Sequence, residues 1–206
     1  MFTEIVIATS NKGKTREIRR ALEGLPLSIY TLDDFPFVRA VDEAGRTYEE
    51  NARSKALAYA AQTGLYALAD DSGLEVNALD GRPGFLSARY GGTGLSDVER
   101  NEKLLSALAH IDGNRRAARF VSVAVLAQPL QVAENAARVV AVTRGICEGA
   151  IAFTSRGEHG FGYDSIFLPH GYYETFGELQ DSVKNEISHR AQSMMKMRTI
   201  LKFLLG

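Results

Sequence analysis

The amino-acid sequence predicts an α/β protein built on a mixed β-sheet with flanking helices. Three observations support this class. An apolar strand is followed by a glycine-containing loop and a helix, and a second helix precedes a second strand. Two longer apolar segments in the middle of the chain lie close together in sequence, which favours antiparallel pairing. Alternating helices and strands followed by antiparallel strands are typical of an α/β fold with a mixed sheet.

The first part of the chain reads as strand, helix, helix and strand. Residues 4–8, EIVIA, are apolar and β-branched, which predicts a buried strand. Apolar residues then recur at helical spacing, at Ile18, Ala21, Leu22 and Leu25, before Gly24 and Pro26 end the helix. The alanine-rich residues 50–62 predict a second helix, which Gly64 ends. Residues 65–69, LYALA, predict a strand that delivers Asp70 and Asp71 at its end.

The second part begins with residues 80–95, whose proline and glycines predict a loop region. Ser96 and Glu99 have the spacing of a capping box, which predicts a helix after them. Residues 118–127 and 138–145 predict two long strands joined around Pro129. Residues 187–205 predict a last helix with one apolar stripe, in which the methionines fill the core.

The composition sets limits on partners and location. The 206 residues suit a single domain, and 24 basic against 25 acidic residues give a net charge of -1. This balance provides no general attraction to nucleic acid or to a membrane surface, so we expect neither as a partner. The single cysteine, Cys147, excludes an internal disulfide and is expected to be a small buried apolar residue. Without a signal peptide or a membrane-spanning apolar run, we expect a cytoplasmic location.

The loop between the first strand and its helix has the features of a phosphate cradle. Backbone N–H groups at a helix N-terminus attract anions, and two lysines add positive charge. The loop is not a Walker A motif, since that spacing of glycines and lysine is absent. A solvated, capped helix start is the alternative. The candidate residues are Thr9, Ser10, Asn11, Lys12, Gly13 and Lys14.

Two adjacent carboxylates, Asp70 and Asp71, predict a metal site at the end of the second strand. Mg²⁺ prefers oxygen ligands and commonly takes only one or two carboxylates, leaving other positions to water and phosphate. A second acidic stretch, VDEAG, contributes Asp42 and Glu43, and the sequence does not distinguish which of them faces the metal. The alternative is a loop whose acids cap the following turn.

Two stretches nearer the C-terminus predict contacts to a nucleotide. GFGYDS combines flexible glycines with flat rings and a carboxylate, which suits stacking on a base but also a plain aromatic turn. KNEISHRA places Lys184, His189 and Arg190 where the last helix is expected to begin. Cations at a helix start are unfavourable unless an anion lies nearby, and an exposed basic helix end is the alternative.

Together these motifs resemble the inosine triphosphate pyrophosphatase family, also called the non-canonical purine nucleoside triphosphate pyrophosphatases or dITP/XTP diphosphatases. The resemblance covers the chain from the first strand to the last helix. It rests on ATSNKGKTREI, GRTYEENARSKA, ADDSGLEVNALDGRPGFLSARY, GFGYDSIFLP and ISHRAQSM, in that order.

The resemblance implies an activity and an architecture. Members of this family hydrolyse purine nucleoside triphosphates with a keto group at position 6, such as ITP, dITP and XTP, to the monophosphate and pyrophosphate. This reaction clears deaminated purines from the nucleotide pool. Members require Mg²⁺, work as homodimers, and have a fold of two lobes around a central cleft.

The resemblance also assigns roles to individual residues. Glu43 and Asp71 would hold Mg²⁺, and Asp71 would also accept the proton of the attacking water. Residues 9–14 would bind the triphosphate. The remaining substrate contacts would come from Ser72, Phe161, Gly162, Tyr163, Asp164, Lys184, His189 and Arg190.

Two positions depart from the family pattern. Ser165 stands where the family usually has proline after the acid of GFGYD, and residues 156–160 read RGEHG where a Thr-Gly-Gly run is common. Both changes affect the rigidity of the loop that the resemblance assigns to base recognition.

Three other functions are consistent with parts of the sequence. A related pyrophosphatase acting on other modified nucleotides would be separated by assays with ITP, XTP, dUTP and methylated pyrimidine triphosphates. A nucleotide-binding regulator without turnover would keep the cradle and lose the acids, whereas Glu43 and Asp71 are both present. A nucleic-acid binder is disfavoured by the net charge and by the lack of a long basic stripe.

Overall fold

The computed structural model describes residues 2–130 and 136–206. Within this part of the chain, six strands form one mixed sheet in the order β2-β1-β3-β4-β5-β6. The strands are β1 Glu4–Ile7, β2 Ser28–Thr31, β3 Tyr66–Val76, β4 Ala117–Pro129, β5 Ala137–Ile151 and β6 Phe167–Pro169. The helices are α1 Lys12–Ala21, α2 Tyr48–Thr63, α3 Asp97–Ala107, α4 Asp181–Ile187 and α5 His189–Leu205. The predicted α/β class with a mixed sheet is confirmed.

Both strand directions occur in the sheet. β1 pairs in parallel with β2 and with β3, whereas β5 and β6 are antiparallel. β4 and β5 are neighbours, and the N–H of Leu130 donates to the carbonyl of Ala136 at 2.8 Å, as expected at the end of an antiparallel pair. Pro129, around which the two strands were predicted to be joined, is the last residue of β4, and residues 131–135 of the connection lie outside the described residues.

The chain divides into two compact units. The first comprises Met1–Asp71, Ser122–Gly145 and Arg190–Gly206, and the second comprises Ser72–Val121 and Ile146–His189. Three strands, β3, β4 and β5, pass from one unit into the other. None of the described helices is long and apolar enough to cross a membrane.

The first unit buries apolar side chains on both faces of its strands. Alternate residues of a strand point to opposite faces. One face packs against α2 through Val6, Ala8, Ala52, Ala56, Tyr59, Ala60, Ala67 and Ala69. The other face packs against α1 and α5 through Ile5, Ile7, Ile18, Leu22, Leu68, Met194, Met197 and Leu201. Leu68 and Ala69 therefore lie on opposite faces of β3.

The second unit has a core rich in aromatic rings. Phe120, Phe167 and Phe176 pack with centroid separations of 4.7 to 6.3 Å. Leu104 and Leu108 of the α3 segment are buried against them, and the predicted capping box of Ser96 and Glu99 is present. Cys147 is 6% exposed within this core, as predicted, and burial raises its pKa to about 12.

The last predicted helix, residues 187–205, is confirmed as α5 His189–Leu205, and the short helix α4 precedes it. α4 ends at Ile187, Ser188 has extended backbone (φ −66°, ψ 158°), and α5 begins at His189. The N–H of Ser188 donates to the carbonyl of Lys184 at 3.0 Å and closes α4. Lys184 therefore lies in the last turn of a helix, where a cation is favourable, and not at a helix start as predicted. Met194 and Met197 are core residues as predicted, whereas Met195 is exposed.

Candidate functional site

Asp70 and Asp71 lie within β3, and not at the end of a strand as the sequence predicted. β3 continues to Val76 because both carboxylates find cationic partners inside the protein. Asp70 lies on the same strand face as Leu68, towards α1 and α5, and Asp71 lies on the face of Ala69, towards α2. Adjacent carboxylates are therefore directed into two different environments.

The glycine of the DDSG stretch allows this strand to pack closely. A Cβ atom at Gly73 would lie 2.2 Å from the carbonyl oxygen of Gly84 and 2.6 Å from Oγ of Ser87. Because a side chain cannot be accommodated there, Gly73 brings β3 against the short 3-10 helix Gly84–Arg89.

Asp70 is the centre of a buried ion cluster. Its Oδ2 lies 2.8 Å from Nζ of Lys14 and 3.4 Å from Nε of Arg190, and its Oδ1 accepts a 2.5 Å hydrogen bond from Ser122. Arg190 also pairs with Glu17. Burial opposes ionisation of Asp70, but Lys14 and Arg190 outweigh it and hold the pKa of this carboxyl well below its ordinary value. Asp70 is therefore a buried anion at neutral pH.

Asp71 has a weaker set of partners. Its Oδ2 accepts a 3.1 Å hydrogen bond from the amide of Asn51, and its Oδ1 lies 3.6 Å from Nζ of Lys55. Burial, reinforced by the negative charge of Glu43, raises the pKa of Asp71 above its ordinary value despite the nearby lysines. Of the two aspartates, Asp71 is thus the more basic, which suits a group that accepts a proton.

Lys55 connects the acidic residues of two segments. Its Nζ lies 2.7 Å from Oε1 of Glu43 and donates to the backbone carbonyl of Asp70 at 2.9 Å. Burial opposes the charge of Lys55, but Asp71 and Glu43 together raise its pKa. Asp42 is exposed, so the geometry favours Glu43 over Asp42 as the residue that faces Asp71.

Asn51 holds the acidic loop beside the strand. Its side-chain oxygen accepts from the N–H of Gly45 at 2.8 Å, while its amide donates to Asp71. Neither Asn51 nor Lys55 was among the predicted site residues. The sequence does contain a pattern that indicates them. The two polar residues lie four positions apart, on the same face of a helix whose other buried positions are mostly Ala.

Glu43 and Asp71 form a donor set suited to Mg²⁺. They share one ammonium group, so their negative charges converge on a common point. In the part of the chain that the structure describes, no group of three or more His, Cys, Asp or Glu side chains could hold a metal. Two carboxylates without a third ligand are compatible with Mg²⁺, which usually keeps water and substrate phosphate as its other ligands.

A second cluster of predicted residues lies in the second unit. Oδ2 of Asp164 lies 2.5 Å from Nζ of Lys184 and accepts from the N–H of Phe161 at 2.7 Å. Nζ of Lys184 lies 4.9 Å from the centroid of the Phe161 ring. A Cβ atom at Gly160, whose φ is +79°, would lie 2.1 Å from Asp164. The turn therefore places a half-buried aromatic face beside a paired lysine and carboxylate.

The first turns of α3 hold this turn in place. Asp97 accepts from the N–H of Gly162 at 2.6 Å, and the amide of Asn101 donates to the carbonyl of Gly162 at 3.0 Å. The same amide donates to Oγ of Ser165 at 3.0 Å, and Ser155 also donates to that oxygen. Asp97 and Asn101 were not predicted, because nothing in the sequence links them to a segment more than 60 residues away.

Ser165 is therefore held in place by two hydrogen bonds. Tyr163 is buried in the core, where its hydroxyl donates to the carbonyl of Ser87 at 2.8 Å and burial raises its pKa. The ring of Tyr163 is buried, whereas the ring of Phe161 is half-buried and therefore the more accessible of the two. The ring of His189 stacks on Phe120 at 4.6 Å.

The residues of the predicted phosphate cradle do not all face the same part of the protein. Asn11 caps α1 by accepting from the N–H of Lys14, while the ammonium of Lys14 reaches Asp70. Thr9, Ser10 and Lys12 instead line a surface cavity along α1. In the described structure, Lys14 belongs with Asp70 and Arg190, whereas Lys184 and His189 lie in the second unit. Ser72 is half-buried on β3.

The fold and these side chains define an α/β protein whose buried carboxylates are paired with lysine and arginine. A profile described as the Ham1 family matches residues 5–200. A dITP/XTP pyrophosphatase of Desulforamulus reducens is 43% identical over 98% of this chain and 96% of its own. One from Geobacter sulfurreducens is 44% identical over 96% of each chain.

Solved structures agree with this match. A HAM1 protein from Coxiella burnetii is 40% identical, with a TM-score of 0.85 over 98% of this chain and 100% of that chain. The structure described as a nucleoside-triphosphatase or dITP/XTP pyrophosphatase from Mycobacterium abscessus is 37% identical, with a TM-score of 0.72 over 95% and 98%. The chain belongs to the Ham1 family.

Proposed function

We propose that this protein hydrolyses non-canonical purine nucleoside triphosphates, namely dITP, XTP and ITP, to the nucleoside monophosphate and pyrophosphate. The supporting observation is Asp71, a buried carboxylate of raised pKa that shares Lys55 with Glu43. The proposal is also supported by sequence identity, because this chain is 43% identical over nearly its full length to a relative named dITP/XTP pyrophosphatase. The activity serves to remove damaged purines from the nucleotide pool.

The reaction requires water to attack the phosphorus of the α-phosphate. A new P–O bond forms between the water oxygen and the α-phosphorus. The bond between the α-phosphorus and the oxygen that bridges it to the β-phosphate breaks, and pyrophosphate leaves. Asp71 accepts the proton of the water, a role that its raised pKa favours. Lys14 and Lys55 supply positive charge near the phosphates, and electrostatic stabilisation of this kind is commonly a large part of catalysis.

Mg²⁺ is the metal that Glu43 and Asp71 would hold. When bound, it supplies positive charge to the phosphate oxygens on which negative charge accumulates. Lys55 and Asn51 position these two carboxylates in the structure as described.

The nucleoside is bound by residues of the second unit in this proposal. Phe161 offers a ring for stacking, and Asp164 and Lys184 offer an acceptor and a donor to the edge of the base. Ser72, His189 and Arg190 remain proposed substrate contacts. We also propose a homodimer in the cytoplasm, and sedimentation of a stable 22.5 kDa species at high concentration would contradict the dimer.

We expect a clear preference for purines with a 6-keto group. A site built to hydrogen-bond one edge rejects analogues whose edge leaves its polar groups unpaired. Coupled pyrophosphate-release kinetics with Mg²⁺ should give kcat/KM values for ITP, dITP and XTP well above those for ATP. Equal values for ATP and ITP, or release of orthophosphate in place of pyrophosphate, would contradict the proposal.

We expect Asn101→Ala to weaken nucleoside binding more than the chemical step. The substitution removes the donor to Gly162 and Ser165 and loosens the turn that carries Phe161, while leaving Asp71 untouched. KM for ITP should rise by roughly tenfold, since a hydrogen bond of this kind is worth about 1 kcal/mol and the turn loses order as well. The matched control is Asn114→Ala, on the exposed surface of the same unit. An unchanged KM would remove Asn101 from a positioning role.

A further inference from the structure

The acidic loop, residues 39–45, is held at both ends by side chains of α2. At one end, Oε1 of Gln62 accepts from the N–H of Arg39 at 2.6 Å, and the amide of Gln62 donates to the carbonyl of Arg39 at 3.3 Å. At the other end, Oδ1 of Asn51 accepts from the N–H of Gly45 at 2.8 Å. The loop therefore runs along α2 in the direction opposite to that of the helix.

The spacing of these two contacts leaves the acidic loop little slack. Between residues 51 and 62 the helix rises roughly 16 Å, at 1.5 Å per residue. Between residues 39 and 45 a fully extended chain spans at most roughly 20–22 Å. Glu43 lies between the two contacts, and so does Lys55, its partner on the helix at 2.7 Å. The two contacts therefore fix where Glu43 lies along α2.

The exposure of the loop residues alternates along the chain. Val41, Glu43 and Gly45 are half-buried, whereas Asp42 and Ala44 are exposed. A period of two is the pattern of an extended chain with one side against the protein, and Val41 packs against the same apolar cluster as α2. A shift of one residue would exchange the two sides of such a chain. It would turn Asp42 towards the helix in place of Glu43.

We propose that Gln62 is a positioning residue, which sets the register of the acidic loop and thereby places Glu43, and not Asp42, at the Mg²⁺ site. Among the described residues, Gln62 forms hydrogen bonds only to the backbone of Arg39, so it acts on Glu43 through the loop. Asn51, in contrast, contacts a carboxylate of the site directly. The role of Glu43 as a metal ligand rests on the proposed function, whereas the register of the loop does not.

Gln62→Ala and Gln62→Glu test this role in the full chain. Alanine removes both contacts, whereas glutamate keeps an acceptor for the N–H of Arg39. We expect Gln62→Ala to raise the Mg²⁺ concentration for half-maximal ITP hydrolysis by about fivefold, the size expected for one or two lost hydrogen bonds. KM for ITP and kcat at saturating Mg²⁺ should change by less than about twofold. Gln62→Glu should restore most of the wild-type Mg²⁺ dependence.

The matched control is Gln128→Ala. Like Gln62, Gln128 is a half-buried glutamine of the first unit that makes two hydrogen bonds, in its case from Arg138. Its removal costs similar contacts at a position away from the acidic loop. The Mg²⁺ dependence of this variant should match that of the wild type.

Hydrogen exchange of the substrate-free protein gives a readout that does not depend on activity. Removal of the glutamine acceptor directly speeds exchange at the N–H of Arg39. The proposal also requires faster exchange at Gly45 and Arg46, although their own acceptors on α2 are intact. Mg²⁺ alone should slow exchange at residues 40–46, at lower concentrations in the wild type than in Gln62→Ala.

The kinetic and exchange measurements decide the role of Gln62 separately from the proposed function. The proposal is overturned if Gln62→Ala keeps the Mg²⁺ dependence of the wild type, if saturating Mg²⁺ does not restore its kcat, or if faster exchange is confined to Arg39. If the wild type hydrolyses no ITP, the proposed function alone fails, and exchange at Gly45 and Arg46 with and without Mg²⁺ still tests the role of Gln62.

Discussion

Asp71→Asn is expected to lower turnover of ITP by at least ~100-fold, the lower end of contributions from general bases. The substitution keeps size and shape but removes the negative charge and the capacity to accept a proton. Nucleotide affinity should change much less, because Lys14 and the turn at Phe161 remain. Single-turnover hydrolysis with Mg²⁺ separates the chemical step from binding.

The fold should survive this substitution. Burial already disfavours the charged form of Asp71, and an amide at this position can still accept the hydrogen bond from Asn51. We therefore expect the free energy of unfolding of the metal-free protein to change by less than about 1 kcal/mol. Asp42→Asn, an exposed neighbour of Glu43, is the matched control and should retain its turnover. Near-native turnover by a folded Asp71→Asn variant would overturn the mechanism proposed here.

Asp70→Asn is expected to have the opposite effect to Asp71→Asn, with a large loss of stability and a smaller loss of turnover. It leaves Lys14 without its carboxylate and Arg190 with Glu17 alone, all within a buried cluster. Removing one partner of a buried ion pair typically costs about 3–5 kcal/mol. Urea unfolding of metal-free protein at pH 7 measures this cost, and turnover per folded molecule should fall less than for Asp71→Asn.

The pH dependence of this loss follows from the lowered pKa of Asp70. A carboxyl with a depressed pKa stabilises the folded state above its ordinary pKa, and the contribution is lost as the pH falls towards the folded-state value. The difference in unfolding free energy between wild type and Asp70→Asn should therefore be largest near neutral pH and should shrink below about pH 4. Equal stability of the two proteins at pH 7 would show that Asp70 is not held as an anion.

The contrast between these two aspartates explains why adjacent acids are found in one strand. Alternation along β3 sends Asp70 towards α1 and α5, where Lys14 and Arg190 neutralise it. It sends Asp71 towards α2, where Lys55 lies 3.6 Å away and is shared with Glu43. One carboxylate supports the structure while the other keeps the basicity that the proposed chemistry needs.

Local signals were sufficient to predict much of the fold. The apolar strand at 4–8, the alanine-rich helix ended by Gly64 and the capping box at Ser96 all depend on neighbouring residues in the sequence. Gly64 adopts φ +69°, a conformation that glycine takes without steric cost and that commonly ends helices. The motifs that resemble the pyrophosphatase family were likewise contiguous, and the match to the Ham1 family is confirmed over residues 5–200.

Features that depend on distant residues were missed or misplaced. The strand at residues 65–69 was expected to end before Asp70, because a pair of acids is unfavourable in a buried strand unless it is neutralised. The neutralising residues Lys14 and Arg190 are 56 and 120 residues away from Asp70, and the sequence does not show that they meet it. Asn101 is similarly remote from the turn that it holds.

The sequence by itself determined the class of fold, the family and the segments that carry the charged residues, since these follow from local periodicity and contiguous motifs. Only the tertiary structure decided which charge each residue meets. It separated Asp70 from Asp71, selected Glu43 over Asp42, and turned Lys14 inward while Lys12 faces a surface cavity. The physical reason is that the ionisation of a buried group depends on burial and on charges within a few ångströms, and folding brings those charges together from distant parts of the chain.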